Sequence, residues 1–127
     1  MRDALIQLGV GIEVENDTWI VHGVGVNGFK IPTMALDFCN SGTALRLLTV
    51  AATRIGEWIV VDGDATLGFR ISRDYWKSLG IDVKFDTENR NLPMRIKGPI
   101  TLDSLTLDVS KTSQHLSALV LSMPARR

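Results

Sequence analysis

Three short stretches of this chain gather hydroxyls, amides and arginines where an apolar run gives way to a helical one. The first is CNSGTALRLL, Cys39 to Leu48. At such a junction the first free backbone N–H groups of the helix aim at one point, and the helix dipole adds partial positive charge there. Gly42 leaves room for an anion to approach the backbone. Ser41 and Thr43 add hydroxyl donors, and Arg46, one turn along, adds a fixed charge. This is the chemistry of phosphate or carboxylate binding. The same residues also suit a plain N-cap, with Asn40, Ser41 or Thr43 closing the helix and Arg46 solvated. Local chemistry leaves both readings open.

The second stretch is DGDATLGFRISRDYW, where Asp62-Gly63-Asp64 makes a turn, Arg70 precedes a helix and Arg73 lies at its start. Cations at a helix N-terminus oppose the dipole, which a bound anion would offset. Surface pairing of an arginine with Asp64 or Asp74 is the competing reading. The third stretch is DVSKTSQHLSALVLSMP. Ser110, Thr112 and Ser113 cluster at another strand-to-helix junction, Gln114 follows, and Lys111 adds charge. Three such junctions could converge on one anionic ligand if they belong to units related by rotation. His115 reads as a packed or solvated helix residue. Cys39 reads as a small buried residue rather than a nucleophile, since no histidine partner is placed by the sequence. Trp19, Trp58 and Trp76 read as packing in or near the core.

Periodicity supplies the elements that must hold these stretches. Met1 to Leu8 is expected as a short amphipathic helix. VGIEVE and TWIVHG are expected as a hairpin turning at Asn16 to Thr18. A strand from about Met34 to Phe38 leads into a helix from Thr43 to Arg54. EWIVVDG is a buried strand, and a second helix spans Ser72 to Leu79. IDVKF, LPMRIKG and SLTLDVS are further strands. The last helix runs from Ser113 to Ser122 and stops at Pro124.

That order contains a repeat. Met34 to Gly98 reads strand, helix, strand, helix, strand, strand. The opening segment matches the end of such a unit, and the closing segment matches its beginning. LIQLGVGIEVEND resembles YWKSLGIDVKFDTEN, and each goes on to a polar turn and a strand. The expected organisation is one α/β (α+β) domain over 1–127, with a partial unit at 1–33, a complete βαβαββ unit at 34–100 and a partial unit at 101–127. Repeats of this kind bury a core shared between neighbours.

Composition narrows the function classes. The chain has 127 residues, 45% of them hydrophobic and 22% charged, which is globular rather than disordered. Its formal net charge is zero, so bulk charge does not hold it to nucleic acid. No apolar stretch is long enough to cross a membrane, and Asp3 and Gln7 interrupt any leader-like run. One cysteine allows no intrachain disulfide and speaks against a structural zinc site. Neither a metal nor a cofactor is expected, and a reducing, cytoplasmic setting is the default.

The three stretches together resemble the enolpyruvyl transferases, and among them the EPSP synthase family. CNSGTALRLL is similar to that family's GNSGT-x-x-R-L segment, DGDATLGFR to its GD-x-S-L-x-x-R-P segment, and SKTSQHLSALVLSMP to its S-S-Q-x-x-S-A-L-L segment. The resemblance implies repeated βαβαββ units arranged with pseudo-threefold symmetry in two domains. It also implies shikimate 3-phosphate and phosphoenolpyruvate as ligands in the cleft between them, on the route to the aromatic amino acids. Asn40, Gly42 and Arg70 would face phosphoenolpyruvate. Thr112 and Ser113 would hold the phosphate of shikimate 3-phosphate, and Gln114 would contact its ring. Ser41, Thr43 and Arg46 would support the first loop.

Departures from the pattern are Cys39 for a glycine, Ile71 for a proline and Thr112 for a serine. The family's lysine-bearing Lys-Ser-x-x-x-Arg segment and its second domain, with the acid/base carboxylate, have no counterpart in this sequence. A chain of this kind is expected to bind part of the ligand pair and to be inactive or nearly so alone. Its unpaired end units would be covered by a second copy, as a homo-oligomer, or by a complementing chain. The alternatives are a binding or assembly module that kept the fold and lost the reaction, and a related enzyme acting on a UDP-sugar or an RNA 3′ end.

Overall fold

The structure is a computed structural model that describes residues 1–25, 28–102, 104–107, 109–110 and 112–122. A short helix, α1 (Arg2–Gln7), leads into a hairpin of β1 (Gly11–Glu15) and β2 (Thr18–His22). The turn is the two residues Asn16 and Asp17, with Asn16 at φ 52°, a left-handed conformation that asparagine tolerates better than most residues. Antiparallel register sets Val14 opposite Trp19 and Ile12 opposite Val21, so these four apolar residues share one face.

The larger sheet has four strands in the order β3-β4-β6-β5. They are β3 (Leu36–Asp37), β4 (Ile59–Asp62), β5 (Asp82–Phe85) and β6 (Met94–Lys97). β3 and β4 are parallel, as their helical crossover α2 (Gly42–Ala52) requires, and the remaining pairs are antiparallel. A 3₁₀ turn (Thr53–Ile55) extends α2 and ends at Gly56, φ 76°. Two short helices follow β4, α3 (Ala65–Arg70) and α4 (Arg73–Ser78), and α5 (Gln114–Ser122) is last.

Alternation in β4 and β6 turns Ile59, Val61, Met94 and Ile96 inward, all essentially inaccessible. Over them lie Leu45, Leu48 and Ala52 of α2, with Leu67, Trp76, Leu79 and Leu119 closing the same cluster. α2 buries a wide stripe because it packs on β4 with one side and on α5 with another. The helix most central to the core is therefore also the one whose N-terminus carries CNSGT.

Several expectations need correction. A further helix, α3, stands where only a turn and a connecting stretch were expected. SLTLDVS forms no strand among the described residues, and its Asp108 lies outside them, as do Lys111 and the expected stop at Pro124. Trp76 is buried at 1% exposure, but Trp19 and Trp58 are exposed, their rings covered only in part by Arg2 and Lys84. Cys39 is exposed rather than buried.

Candidate functional site

The loop between β3 and α2 is pinned on both sides. Asp37 Oδ1 accepts the Cys39 N–H at 2.8 Å, and the Cys39 carbonyl accepts the Asp64 N–H at 2.8 Å. Cys39 is thereby held at φ 52°, a conformation costly for a residue with a Cβ. Gly63 lets this loop close, since a Cβ there would stand 2.9 Å from the Cys39 carbonyl oxygen and 2.6 Å from Leu67 Cδ2. Ser41 caps α2, its Oγ accepting the Ala44 N–H at 3.2 Å.

Gly42 opens the helix, and two guanidinium groups flank it. A Cβ at Gly42 would lie 3.0 Å from Arg46 Nη1 and 3.7 Å from Arg70 Nη1. Arg70, the last residue of α3, donates from Nη2 to the Asn40 carbonyl at 2.7 Å and to Asn40 Oδ1. Arg46 donates from Nη2 to the Arg70 carbonyl at 3.1 Å and from Nη1 to Gln114 Oε1 at 2.7 Å. Gln114 Nε2 donates to Thr43 Oγ1 at 2.8 Å, and the Gln114 N–H goes to Thr112 Oγ1 at 3.1 Å. Ser113 is exposed next to them, its carbonyl accepting the Ser117 N–H. Asn40, Gly42, Arg70, Thr112, Ser113 and Gln114 thus meet at one place, with Thr43 and Arg46 bonded among them.

Two cations at a helix N-terminus are an unfavourable group unless something negative joins them. Among the described residues no carboxylate pairs with Arg46 or Arg70. Burial first, and the facing charge of Arg70 second, lower the Arg46 pKa from its ordinary value. Arg46 Nε is buried without a hydrogen-bond partner. The cluster is therefore a cradle with uncompensated positive charge, lined by hydroxyls, an amide and backbone N–H groups. It is suited to an oxyanion, phosphate or carboxylate.

The model of the EPSP synthase (3-phosphoshikimate 1-carboxyvinyltransferase) family matches residues 1–127. The chain belongs to the EPSP synthase family. A 3-phosphoshikimate 1-carboxyvinyltransferase from a Bradyrhizobium species is 40% identical over 99 residues, covering 75% of this chain and 22% of the relative. One from Rhizobium etli is 36% identical over 125 residues, covering 95% of this chain and 29% of the relative. A solved EPSP synthase from Acinetobacter baumannii superposes with a TM-score of 0.79 at 30% identity, over 95% of this chain and 28% of that one. The chain thus spans between 22% and 29% of the length of these relatives. The expected mixed α/β fold of the EPSP synthase type is what the structure has.

Against the EPSP synthase motif, the left-handed φ of Cys39 gives the physical reason for a glycine at that place. Arg73 departs from both readings offered for it. It pairs with neither Asp64 nor Asp74. Its Nε donates to Asn91 Oδ1 at 2.6 Å, and its Nη2 donates to the carbonyls of Thr87, Glu88 and Arg90. Its guanidinium lies 4.4 Å from the Phe85 ring centroid, so Arg73 organises the β5–β6 loop and not the cradle. The contact between Tyr75 and His115 has no signal in the sequence. Their rings stack with centroids 3.7 Å apart at 10°, and the Tyr75 hydroxyl donates to the His115 carbonyl at 3.3 Å. Local periodicity carries no signal for a pair 40 residues apart.

Proposed function

We propose that this chain forms one wall of an enolpyruvyl-transfer site, binding part of shikimate 3-phosphate and of phosphoenolpyruvate, and that it is catalytically silent or nearly so by itself. The observation that carries this is the Arg46–Arg70 pair beside Gly42 at the start of α2, without a carboxylate partner among the described residues. In this reading Asn40, Gly42 and Arg70 face phosphoenolpyruvate. Thr112 and Ser113 take the phosphate of shikimate 3-phosphate, and Gln114 its ring. Ser41, Thr43 and Arg46 shape the loop.

The chemistry explains the silence. Enolpyruvyl transfer protonates the phosphoenolpyruvate methylene and deprotonates an attacking hydroxyl. The cradle offers cations, hydroxyls and amides, which stabilise negative charge but move no proton at neutral pH. Its nearest titratable ring, His115, is stacked on Tyr75. A second wall would have to bring the acid/base group and exclude water.

An amide-resolved NMR titration with shikimate 3-phosphate, with and without phosphoenolpyruvate, tests the binding. Saturable shifts are expected at Thr112, Ser113 and Gln114, extending to Asn40 and Gly42 when phosphoenolpyruvate is added. No shift at millimolar ligand would sink the reading. Phosphate release by the purified chain at a turnover typical of full-length relatives would sink the silence.

A second reading, an assembly module, is favoured by a separate observation. Val14, Trp19 and Val21 lie exposed on one hairpin face, and Leu116, Val120 and Leu121 are exposed on α5. Exposed apolar faces of this kind mark association sites. A second copy or a complementing chain would cover it, and light scattering that finds a monomer at high concentration would count against it.

A further inference from the structure

The cradle depends on one long side chain from a distant element. Gln114 reaches from α5 to Thr43 and Arg46 on α2, and its amide is engaged at both ends. Such a reach is reproducible only if the backbone beneath it is fixed. Gln114 is the first residue of α5, and the first turn of a helix has no preceding ladder to fix it. Thr112 Oγ1 caps its N–H locally, and a partner on another element must fix the turn against the rest of the fold.

We propose that Tyr75 and His115 are a positioning pair, which fixes the first turn of α5 and so sets where the Gln114 amide stands for ligand. Tyr75 is 6% exposed, and its ring meets Trp76 edge-on with centroids 4.8 Å apart, which makes it a rigid anchor on α4. Its own backbone is tied at both ends of its helix: its N–H goes to Ser72 Oγ, and its carbonyl accepts from Ser78 Oγ. From this anchor the hydroxyl grips the His115 carbonyl, and the ring lies flat on the imidazole. One contact holds the backbone and the other fixes rotation about the helix axis.

Sterics alone do not force the stack. A cavity of about 370 Å³ adjoins the pair, lined in part by Asp74, Tyr75, Thr106, Thr112 and His115, and it gives the imidazole room to turn away. The surroundings favour the neutral ring. Burial, and then Arg46 on α2, lower the His115 pKa. Asp74 of α4 is the charged side chain that lines the cavity itself, and Thr106 and Leu107 bring none. A neutral imidazole adds no third cation beside Arg46 and Arg70. Burial pushes the Tyr75 phenol well above its ordinary value, so it remains a donor.

The ligand consequence rests on the proposed function, but the geometric one does not, and the experiment separates them. In the unliganded full chain, the side-chain amide protons of Gln114 should be dispersed and protected from exchange. His115→Ala, at a half-buried position, should bring them to the values of an exposed glutamine while core amides hold still, which also reports that the fold is kept. His115→Phe, which keeps a stacked ring, should restore them, and Tyr75→Phe should give a partial effect through the lost hydroxyl. Loss of an aromatic pair should weaken shikimate 3-phosphate about three- to tenfold in His115→Ala. Unchanged Gln114 signals in His115→Ala would overturn the clamp. Released signals with unchanged affinity would overturn its role toward ligand. If the parent chain takes no shikimate 3-phosphate, the ligand reading falls, and the unliganded Gln114 signals still decide the clamp.

Discussion

The α2–α5 junction and the β1–β2 hairpin are both unfinished, in opposite senses. At the junction nearly every polar side chain has an answer, some across 71 residues of chain, and what is lacking is a negative charge. In the hairpin every strand residue has a partner across the ribbon, and what is lacking is a surface to cover Val14, Trp19 and Val21. The first deficit is met by a small anion. The second is met only by an apolar face of comparable size. One molecule thus holds a ligand-shaped gap and a chain-shaped gap, and the two are open to separate tests.

The largest effect compares a tryptophan from each side. Trp76→Ala empties the core beneath the cradle and should cost about 3–5 kcal/mol in urea unfolding. Trp19→Ala on the hairpin should cost about 0.5 kcal/mol or less in the isolated chain. A loss at Trp19 comparable to that at Trp76 would break the comparison, because the hairpin face would then be covered in solution.

Next is charge. Arg70→Ala removes a charged hydrogen-bond donor from the cradle and should weaken phosphoenolpyruvate or inorganic phosphate about ten- to hundredfold by calorimetry. Stability should change far less, since the substitution also relieves repulsion with Arg46. Equal losses of stability and affinity would make the arginine pair a structural device.

Two changes in the loop should be smaller and opposite in sign. Ser41→Ala removes the α2 cap and should cost about 1 kcal/mol. Cys39→Gly relieves the left-handed strain and should gain about 1 kcal/mol. Chemical denaturation of both variants checks the pair, and a loss at Cys39→Gly would remove the physical account given for the family's glycine.

The smallest effect is in pH. His115 titrates below its ordinary value of 6.5 in the folded chain, so the unfolded chain binds more protons over that interval. The stability it contributes is complete above about 6.5 and is lost as the pH falls through that interval toward the depressed folded value. Urea melts across the interval should show this, and His115→Phe should flatten it. Phosphate on the arginine pair screens Arg46 and should move the midpoint upward.

The sequence disclosed much of this, for identifiable reasons. The hairpin, α2, α4 and the strands β4 to β6 were legible because alternation or helical spacing ran for several residues. The cradle residues were legible because small polar residues and arginine recur at strand-to-helix junctions. α3 was missed because six residues that include Gly68 carry little periodicity, although Asp64 offered a capping signal. SLTLDVS alternates like a strand, yet among its described residues no partner strand completes it. Side-chain type alone points Trp19 and Trp58 to the core or its edge, and it says nothing of whether a surface exists there to cover them. The Gln114 bridge and the Tyr75–His115 stack depend on folding distant segments together, which local spacing does not encode.

Cys39 has one further consequence. It is the chain's single cysteine, it is exposed, and it immediately precedes Asn40, which holds Arg70. A thiol-reactive dye or spin label would therefore attach at one known point on the rim of the cradle, with no residue changed beforehand. Natural sequence has supplied a reporter for loop motion and anion arrival, at a position where a glycine would have left the molecule optically and magnetically mute.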